Sequence, residues 1–207
     1  MTIAGGVNMK RGFDFLVSLI SIVILSPLML ITAILIKITS KGPVLFKQRR
    51  IGKDNVEFNI YKFRTMRVET PNVATHLLAN TDSFYTPIGK QMRSVSLDEL
   101  PQLFNILKGE MSLVGPRPAL YNQYDLKEMR TNVNVHKLIP GLTGWAQVNG
   151  RDELTLENKV KRDEEYIEMQ SFITDMKIIL RTALKVIARK DIQEGQVEQE
   201  INNEVSL

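Results

Sequence analysis

FDFLVSLISIVILSPLMLITAILIKI, residues 13–38, is the stretch on which the fold turns. No charge interrupts it between Phe15 and Ile36, which meets the ~20 apolar residues required by a bilayer-spanning helix. It is too long for a secretory leader, and no small-x-small cleavage site follows it. Two features separate it from an ordinary span. Ser26-Pro27 sits near its middle, where proline removes a backbone donor and crowds the preceding turn. The Ser26 hydroxyl is placed to satisfy a carbonyl freed there. Each half, Phe13–Leu25 and Leu28–Ile38, reaches roughly 17–20 Å as helix, a little over half of a ~30 Å hydrocarbon core. The flanks are the second feature. Lys10 and Arg11 precede the segment, and Lys37, Lys41, Lys47, Arg49, Arg50, Lys53, Lys62, Arg64 and Arg67 follow, against only Asp54 and Glu57. The positive-inside tendency places both ends in the cytoplasm. A helix–break–helix that enters and leaves one leaflet satisfies this; a proline-kinked span is the alternative.

Working outward, 207 residues accommodate one domain with an appendage and bury a core without staples. Cysteine is absent, which excludes disulfides, thiolate zinc, iron–sulfur clusters and cysteine nucleophiles. Two histidines, His76 and His136, are too few for a multi-histidine metal site. Aromatics at 7% argue against a base-stacking nucleic-acid binder, although the net charge is +4. After Lys190 the charges turn acidic (Asp191, Glu194, Glu198, Glu200, Glu204) with few large apolar groups, the composition of a disordered tail. The division is therefore 1–40 for the N-terminal and membrane segment, 41–190 for a cytosolic domain, and 191–207 for the tail.

The soluble part reads as mixed α/β. Val44–Phe46 and Glu57–Phe63 have strand character, the latter by alternation. Pro101–Leu107 reads as a short helix closed by Gly109. Pro140-Gly141 and Asn149-Gly150 mark turns around a strand at Trp145–Val148. Leu154–Gln170 and Phe172–Lys190 read as helices. In the second, Lys177, Arg181, Lys185 and Arg189 recur every four residues beside Ile173, Met176, Leu180 and Ile187. That pattern suits either an anionic membrane surface or a domain helix with a solvated face.

Four groups of residues carry candidate chemistry. Ser96-Leu97-Asp98-Glu99 has the form of a capping box, with Val95 and Leu100 as its staple. Pro101 fits that reading poorly, since it falls beyond the free amides of a first turn. Read chemically, Asp98 and Glu99 are an acidic pair in which one carboxylate acts as nucleophile and acids with substrate phosphates hold Mg²⁺. Gly115-Pro116-Arg117-Pro118 mounts a lone arginine on stiff backbone, either as a phosphate clamp or as a rigid surface turn. Lys62 and Arg64 share one face of a strand with Phe63 opposite, as diphosphate cations or as a solvated face. The loop 141–151 is glycine-punctuated and carries Trp145 and Arg151, but it is neither a P-loop nor a dinucleotide fingerprint. Trp145 there is a stacking platform, an interface anchor or a core residue. An acidic pair, scattered cations and a membrane hairpin together suit a phosphorylated substrate met at a membrane surface.

FKQRRIG (46–52), YKFRTM (61–66), SLDELPQLFNILKGEMSLVGPRP (96–118) and PGLTGWAQVNGR (140–151) carry a resemblance to the bacterial sugar transferases, the monotopic polyprenyl-phosphate phosphoglycosyl transferases. It runs from Lys10 to about Arg189, in the short form, and is most like capsule-initiating enzymes of staphylococcal type. The resemblance implies a small α/β domain with interfacial helices and a re-entrant membrane helix broken at Ser26 and Pro27. It implies Asp98 as nucleophile, Glu99 as the Mg²⁺ ligand, and Lys62, Arg117 and Arg151 as cations near substrate phosphates. Asp163 matches a further acid near the site. The implied partners are a UDP-sugar, a polyprenyl (undecaprenyl) phosphate and the membrane, with no nucleic acid; a homo-oligomer is compatible. The implied place is the cytoplasmic membrane, with the catalytic domain on its cytoplasmic face, at the first membrane step of capsule or other exopolysaccharide synthesis. The competing readings are a non-catalytic basic membrane adaptor and a lipid-pyrophosphate hydrolase.

Overall fold

The computed structural model of the protein describes residues 3–71, 81–150 and 154–188. It opens with one long helix, α1 (Ile3–Thr39), which contains Pro27 without interruption. The expected break is therefore not a gap in the helix. Proline at position 27 cannot donate to the carbonyl of Val23, and the Ser26 hydroxyl donates to that oxygen instead, at 2.8 Å. Met9–Thr39 is long and apolar enough to cross a bilayer, at mean hydropathy 2.8, and only 11% of its most apolar window is buried. Ile20, Val23, Ile24, Leu30, Ile31 and Ile34 are exposed on it.

Both ends of α1 dock on the domain that follows. At its start, Lys10 pairs with Asp175, whose other oxygen accepts from the Tyr166 hydroxyl at 2.6 Å. The Arg11 guanidinium donates to the carbonyls of Ile106 and Leu107. Buried Asp14 accepts from the Leu113 amide at 3.2 Å. At the far end, fully buried Ile36 packs with Phe63 and Met92, and the Arg64 guanidinium donates to the Ser40 carbonyl and hydroxyl.

The basic stretch forms a hairpin. β1 (Leu45–Ile51) pairs antiparallel with β2 (Glu57–Phe63), so β1 runs five residues beyond the expected strand while β2 matches it. Basic composition had obscured β1; here Arg49 pairs with Glu57 across the hairpin and lies over the Tyr121 ring, 4.0 Å from its centroid. A short helix α2 (Gly89–Ser94) leads into the acidic turn, and α3 (Gln102–Lys108) follows with Pro101 at its N-cap and Gly109 at φ 87° closing it.

β3 (Ser112–Val114) and β4 (Gly141–Thr143) form a second, parallel pair, with α4 (Tyr124–Asn132) between them in sequence. The segment Trp145–Val148 is a helical turn, α5, not the expected strand. Strand pairing at this edge is used by Gly141–Thr143, and the chain turns at Gly144 before coiling. α6 (Leu156–Met169) is capped by the Thr155 side chain, which accepts from the Asn158 amide, and α7 (Phe172–Ala188) ends the described chain. Both agree with the expected helices to within two residues. The acidic tail lies outside the described residues.

The main core joins Ile60, Leu103, Ile106, Met111, Tyr166 and Ile178, with Phe13, Val17, Ile22 and Leu25 of α1 packed on it. Each large apolar side chain so buried contributes about 1.5–3 kcal/mol. α1 is thus part of the domain's packing as well as its apolar appendage.

Candidate active site

Asp98 and Glu99 lie in a single 3-10 turn, Leu97–Glu99, between α2 and α3. Ser96 precedes it at φ 54°, ψ 22°, a left-handed conformation uncommon outside glycine. Its side chain caps nothing, so the capping-box reading fails. The Ser96 turn ends α2 and redirects the chain, so that Pro101 sits where a missing N–H costs no helix bond. The result is an acidic pair set into the domain, with the Asp98 side chain 8% and the Glu99 side chain 14% exposed.

β2 brings Lys62 to this pair. Its Nζ donates to Glu99 Oε1 at 2.7 Å and lies 4.0 Å from Asp98 Oδ2. Arg117 donates to the same Glu99 oxygen at 3.1 Å. Glu99 therefore gathers two cations while Asp98 stands beside them. Burial raises the Asp98 carboxyl above its ordinary range; Lys62, Arg93 and Arg117 pull it down, and the Glu99 charge pushes it up. Burial lowers Lys62, against the pull of both acids. A buried carboxyl with a raised pKa beside fixed cations is an arrangement of the kind found where anions are bound and carboxylates act as bases or nucleophiles.

The Arg117 loop is held from behind. Gly115 and Gly141 meet backbone to backbone, and a Cβ on Gly115 would come within 2.3 Å of the Ile139 carbonyl. Only glycine permits that approach. Gly141 N donates to the Pro116 carbonyl and Gly115 N to that of Thr143, both at 2.9 Å. Two further arginines grip the loop: Arg50 donates to the Pro118 carbonyl at 3.0 Å, and Arg130 to that of Arg117 at 2.7 Å. Burial and Arg117 push Arg50 down to about 9, so it stays charged at neutral pH.

Asp163 is 1% exposed and takes two bonds from Arg130, at 2.6 and 3.0 Å. Through Arg130 it is linked to the Arg117 carbonyl, and the Arg117 side chain reaches Glu99. Trp145 is tied down as well: its indole N–H donates to Glu165 at 2.9 Å, and Arg181 lies over its ring. Arg64, the other cation of the Lys62 strand face, serves the end of α1 instead. Arg151 lies outside the described residues. Sequence reasoning missed Arg50, Arg93 and Arg130 as parts of this site. Nothing in the basic run distinguishes Arg50 from surface-facing Arg49, and Arg130 lies in a segment with no recognised motif.

Asp98 and Glu99 are hard oxygen donors of the kind Mg²⁺ takes, one or two carboxylates with the remainder from substrate phosphates and water. Among the described residues no group of three or more His, Asp or Glu gathers to hold a metal by itself. Such an ion would compete with Lys62 and Arg117 for Glu99 Oε1. The two carboxylates fit Mg²⁺ only within a ligand set completed from outside these residues.

A cavity of about 420 Å³ adjoins Glu99 and Ser96, between α1, α3, the β3–β4 pair and α7. An apolar membrane helix packed on a small α/β domain, beside a buried acidic pair clasped by cations, defines a membrane-associated class of protein. Residues 6–189 match the model of one such family, and the chain is a member of the bacterial sugar transferases. It is 41% identical over 184 residues to an *Aeromonas hydrophila* protein named UDP-N-acetylgalactosamine-undecaprenyl-phosphate N-acetylgalactosaminephosphotransferase, covering 86% of this chain and 43% of that one. It is 43% identical over 189 residues to the undecaprenyl-phosphate glucose phosphotransferase of *Komagataeibacter xylinus*, covering 86% and 36%. With the sugar transferase EpsL of *Bacillus subtilis* it shares 39% identity over 189 residues, covering 90% and 91%. The chain thus spans about two fifths of some relatives and nearly all of another.

Proposed function

We propose that this protein transfers a sugar 1-phosphate from a UDP-sugar to polyprenyl phosphate, releasing UMP, through a covalent intermediate on Asp98. The observation that carries this reading is the clasp at Glu99: Lys62 and Arg117 meet one carboxylate oxygen while the Asp98 carboxyl stands beside them, buried and raised. The names of the relatives, which carry sugar phosphates and undecaprenyl phosphate, supply the substrate class.

In the first step an Asp98 oxygen attacks the β-phosphorus of the UDP-sugar. The bond to the bridging oxygen breaks, UMP leaves with that oxygen, and the phosphosugar is held on Asp98 as an acyl phosphate, a mixed anhydride. In the second, a phosphate oxygen of the polyprenyl phosphate attacks the same phosphorus. The aspartyl bond breaks, Asp98 is restored as a carboxylate, and the product is a lipid diphosphate sugar. Lys62 and Arg117 neutralise the phosphate oxygens, which allows a carboxylate to approach an anion. Arg50, Arg130 and Asp163 keep Arg117 in place. Mg²⁺, with Glu99 as its protein ligand, would supply further neutralisation of the diphosphate.

The reading extends to topology. Asp14 and Ser40 would stand about 40 Å apart along a straight helix, yet both ends of α1 touch one domain. A true crossing would put those ends on opposite faces of a ~30 Å core. Docking at both ends supports entry and exit on one side of the cytoplasmic membrane, with the domain on its cytoplasmic face. The glycan built there is a capsule or another surface polysaccharide.

The test is intact mass. Purified protein mixed with a UDP-sugar and Mg²⁺, without lipid, gains one phosphosugar and releases UMP. Asp98→Asn gains nothing and loses turnover by a factor of 10³ or more. Normal turnover by Asp98→Asn removes the nucleophile assignment. Free sugar phosphate appearing without any acceptor would instead make the protein a hydrolase.

A further inference from the structure

We infer that the 420 Å³ cavity holds the first isoprene units of the lipid acceptor, which makes α1 and α7 two of the walls of the acceptor site. The inference rests on the transferase reading above and adds where the lipid lies and which residues select it.

The cavity is lined by Val17 and Leu25 of α1, Leu142 of β4, and Ile179 and Ala183 of α7. Two of its wall hydroxyls, Thr143 and Thr182, bond each other at 2.7 Å, and Thr182 also bonds the Ile178 carbonyl. The lining is mostly apolar, with Ser21, Gln147 and Lys185 among its polar members, and at one place it opens on Ser96 and Glu99, the acidic turn itself. The occupant that matches is therefore apolar over most of its length and carries its reacting anion at one end. A sugar nucleotide is polar throughout and does not match such walls. A prenyl phosphate does: its phosphate sits at the Lys62–Arg117 clasp and its chain runs back between the helices. α1 presents its remaining apolar surface outward, so the rest of the chain can pass into the bilayer.

The size sets a limit. A cavity of ~150 Å³ holds one benzene, so 420 Å³ takes roughly three five-carbon units. The cavity would therefore read the first three isoprenes, and the membrane alone would hold the others. Acceptor efficiency should climb steeply from one to about three isoprenes and flatten beyond, once values are corrected for partition into detergent or bilayer.

The experiment separates the two half-reactions in full-length protein in nanodiscs. Ala183→Trp fills the cavity from α7. It should still form the phosphosugar adduct and release UMP, while transfer to undecaprenyl phosphate falls tenfold or more. Wild-type transfer rates in a folded, loading-competent Ala183→Trp protein overturn the inference. Where that variant does not fold, wild-type protein decides. A prenyl phosphate with a diazirine on its third isoprene should label peptides 17–25 and 179–186. Unlabelled undecaprenyl phosphate should compete, and equal phosphatidic acid should not. Labelling confined to the outward face of α1, or equal competition by phosphatidic acid, overturns it. Absence of any UMP release by wild type would instead count against the transferase reading, and the labelling pattern does not depend on that chemistry.

Discussion

Asp98 is costly where it is. Its carboxyl is raised by burial, so the folded protein disfavours its charged form relative to the unfolded chain. The sign follows: stability is lost as pH rises through the unfolded value and toward the folded one, and at neutral pH the group destabilises. Asp98→Asn removes that cost, so this variant, inactive on the proposed mechanism, should melt at a higher temperature than wild type in a thermal scan. Lys62 acts in the opposite sense on the same group by pulling the Asp98 carboxyl down. Removing it in Lys62→Met should raise the Asp98 pKa further. The acid limb of adduct formation, measured by quenched mass spectrometry across pH, should then move to higher pH while the maximum rate falls. An acid limb that moves down would mean that another group controls loading.

At the scale of elements, the site depends on how one loop is supported. β3 and β4 approach closely through Gly115 and Gly141, and Arg130 of α4 links the Arg117 carbonyl to Asp163 of α6. Asp163→Ala leaves the Arg130 charge buried without its partner. The expected loss is about 3–5 kcal/mol in urea unfolding, with lower activity because Arg117 loses its mount. Replacing Arg130 and Asp163 together by Met and Leu should recover much of the stability but not the rate, since the bond to the Arg117 carbonyl stays missing. α1 is the second such element. Ser26→Ala leaves the Val23 carbonyl unpaired at the proline and should cost roughly 1 kcal/mol.

At the scale of the molecule, α1 docks at both ends on the domain that holds the acidic pair, and the proposed transfer between a water-soluble donor and a membrane-bound acceptor rests on that arrangement. Lys10 and Arg11 tie its start to α7 and α3, and Arg64 ties its end to β2. Cysteines placed at Thr2 and Ser40 in this cysteine-free chain test the topology. Both should label with an impermeant reagent from the cytoplasmic side in oriented vesicles. Labelling from opposite sides would make α1 a true span.

What the sequence determined alone was whatever depends on local pattern. The apolar run from Phe15 to Ile36, the alternation of Glu57–Phe63, the closing Gly109 and the periodicity of the last two helices are written in neighbouring residues, and each appears within a few residues of its expected place. The acidic pair, Lys62 and Arg117 were legible as candidates because their motifs are short and contiguous. Pairing between distant residues was not legible. Trp145–Val148 has strand composition but lies beyond the β4 segment that the parallel pair uses, so it coils. Ser96 and Glu99 have capping-box spacing, yet the Ser96 backbone is left-handed and Glu99 faces Lys62 and Arg117. Arg50 and Arg130 became parts of the site only through carbonyls 68 and 13 residues away. Those choices rest on desolvation and on hydrogen bonds between remote groups, whose energies exceed local propensity and exist only once the chain has closed on itself.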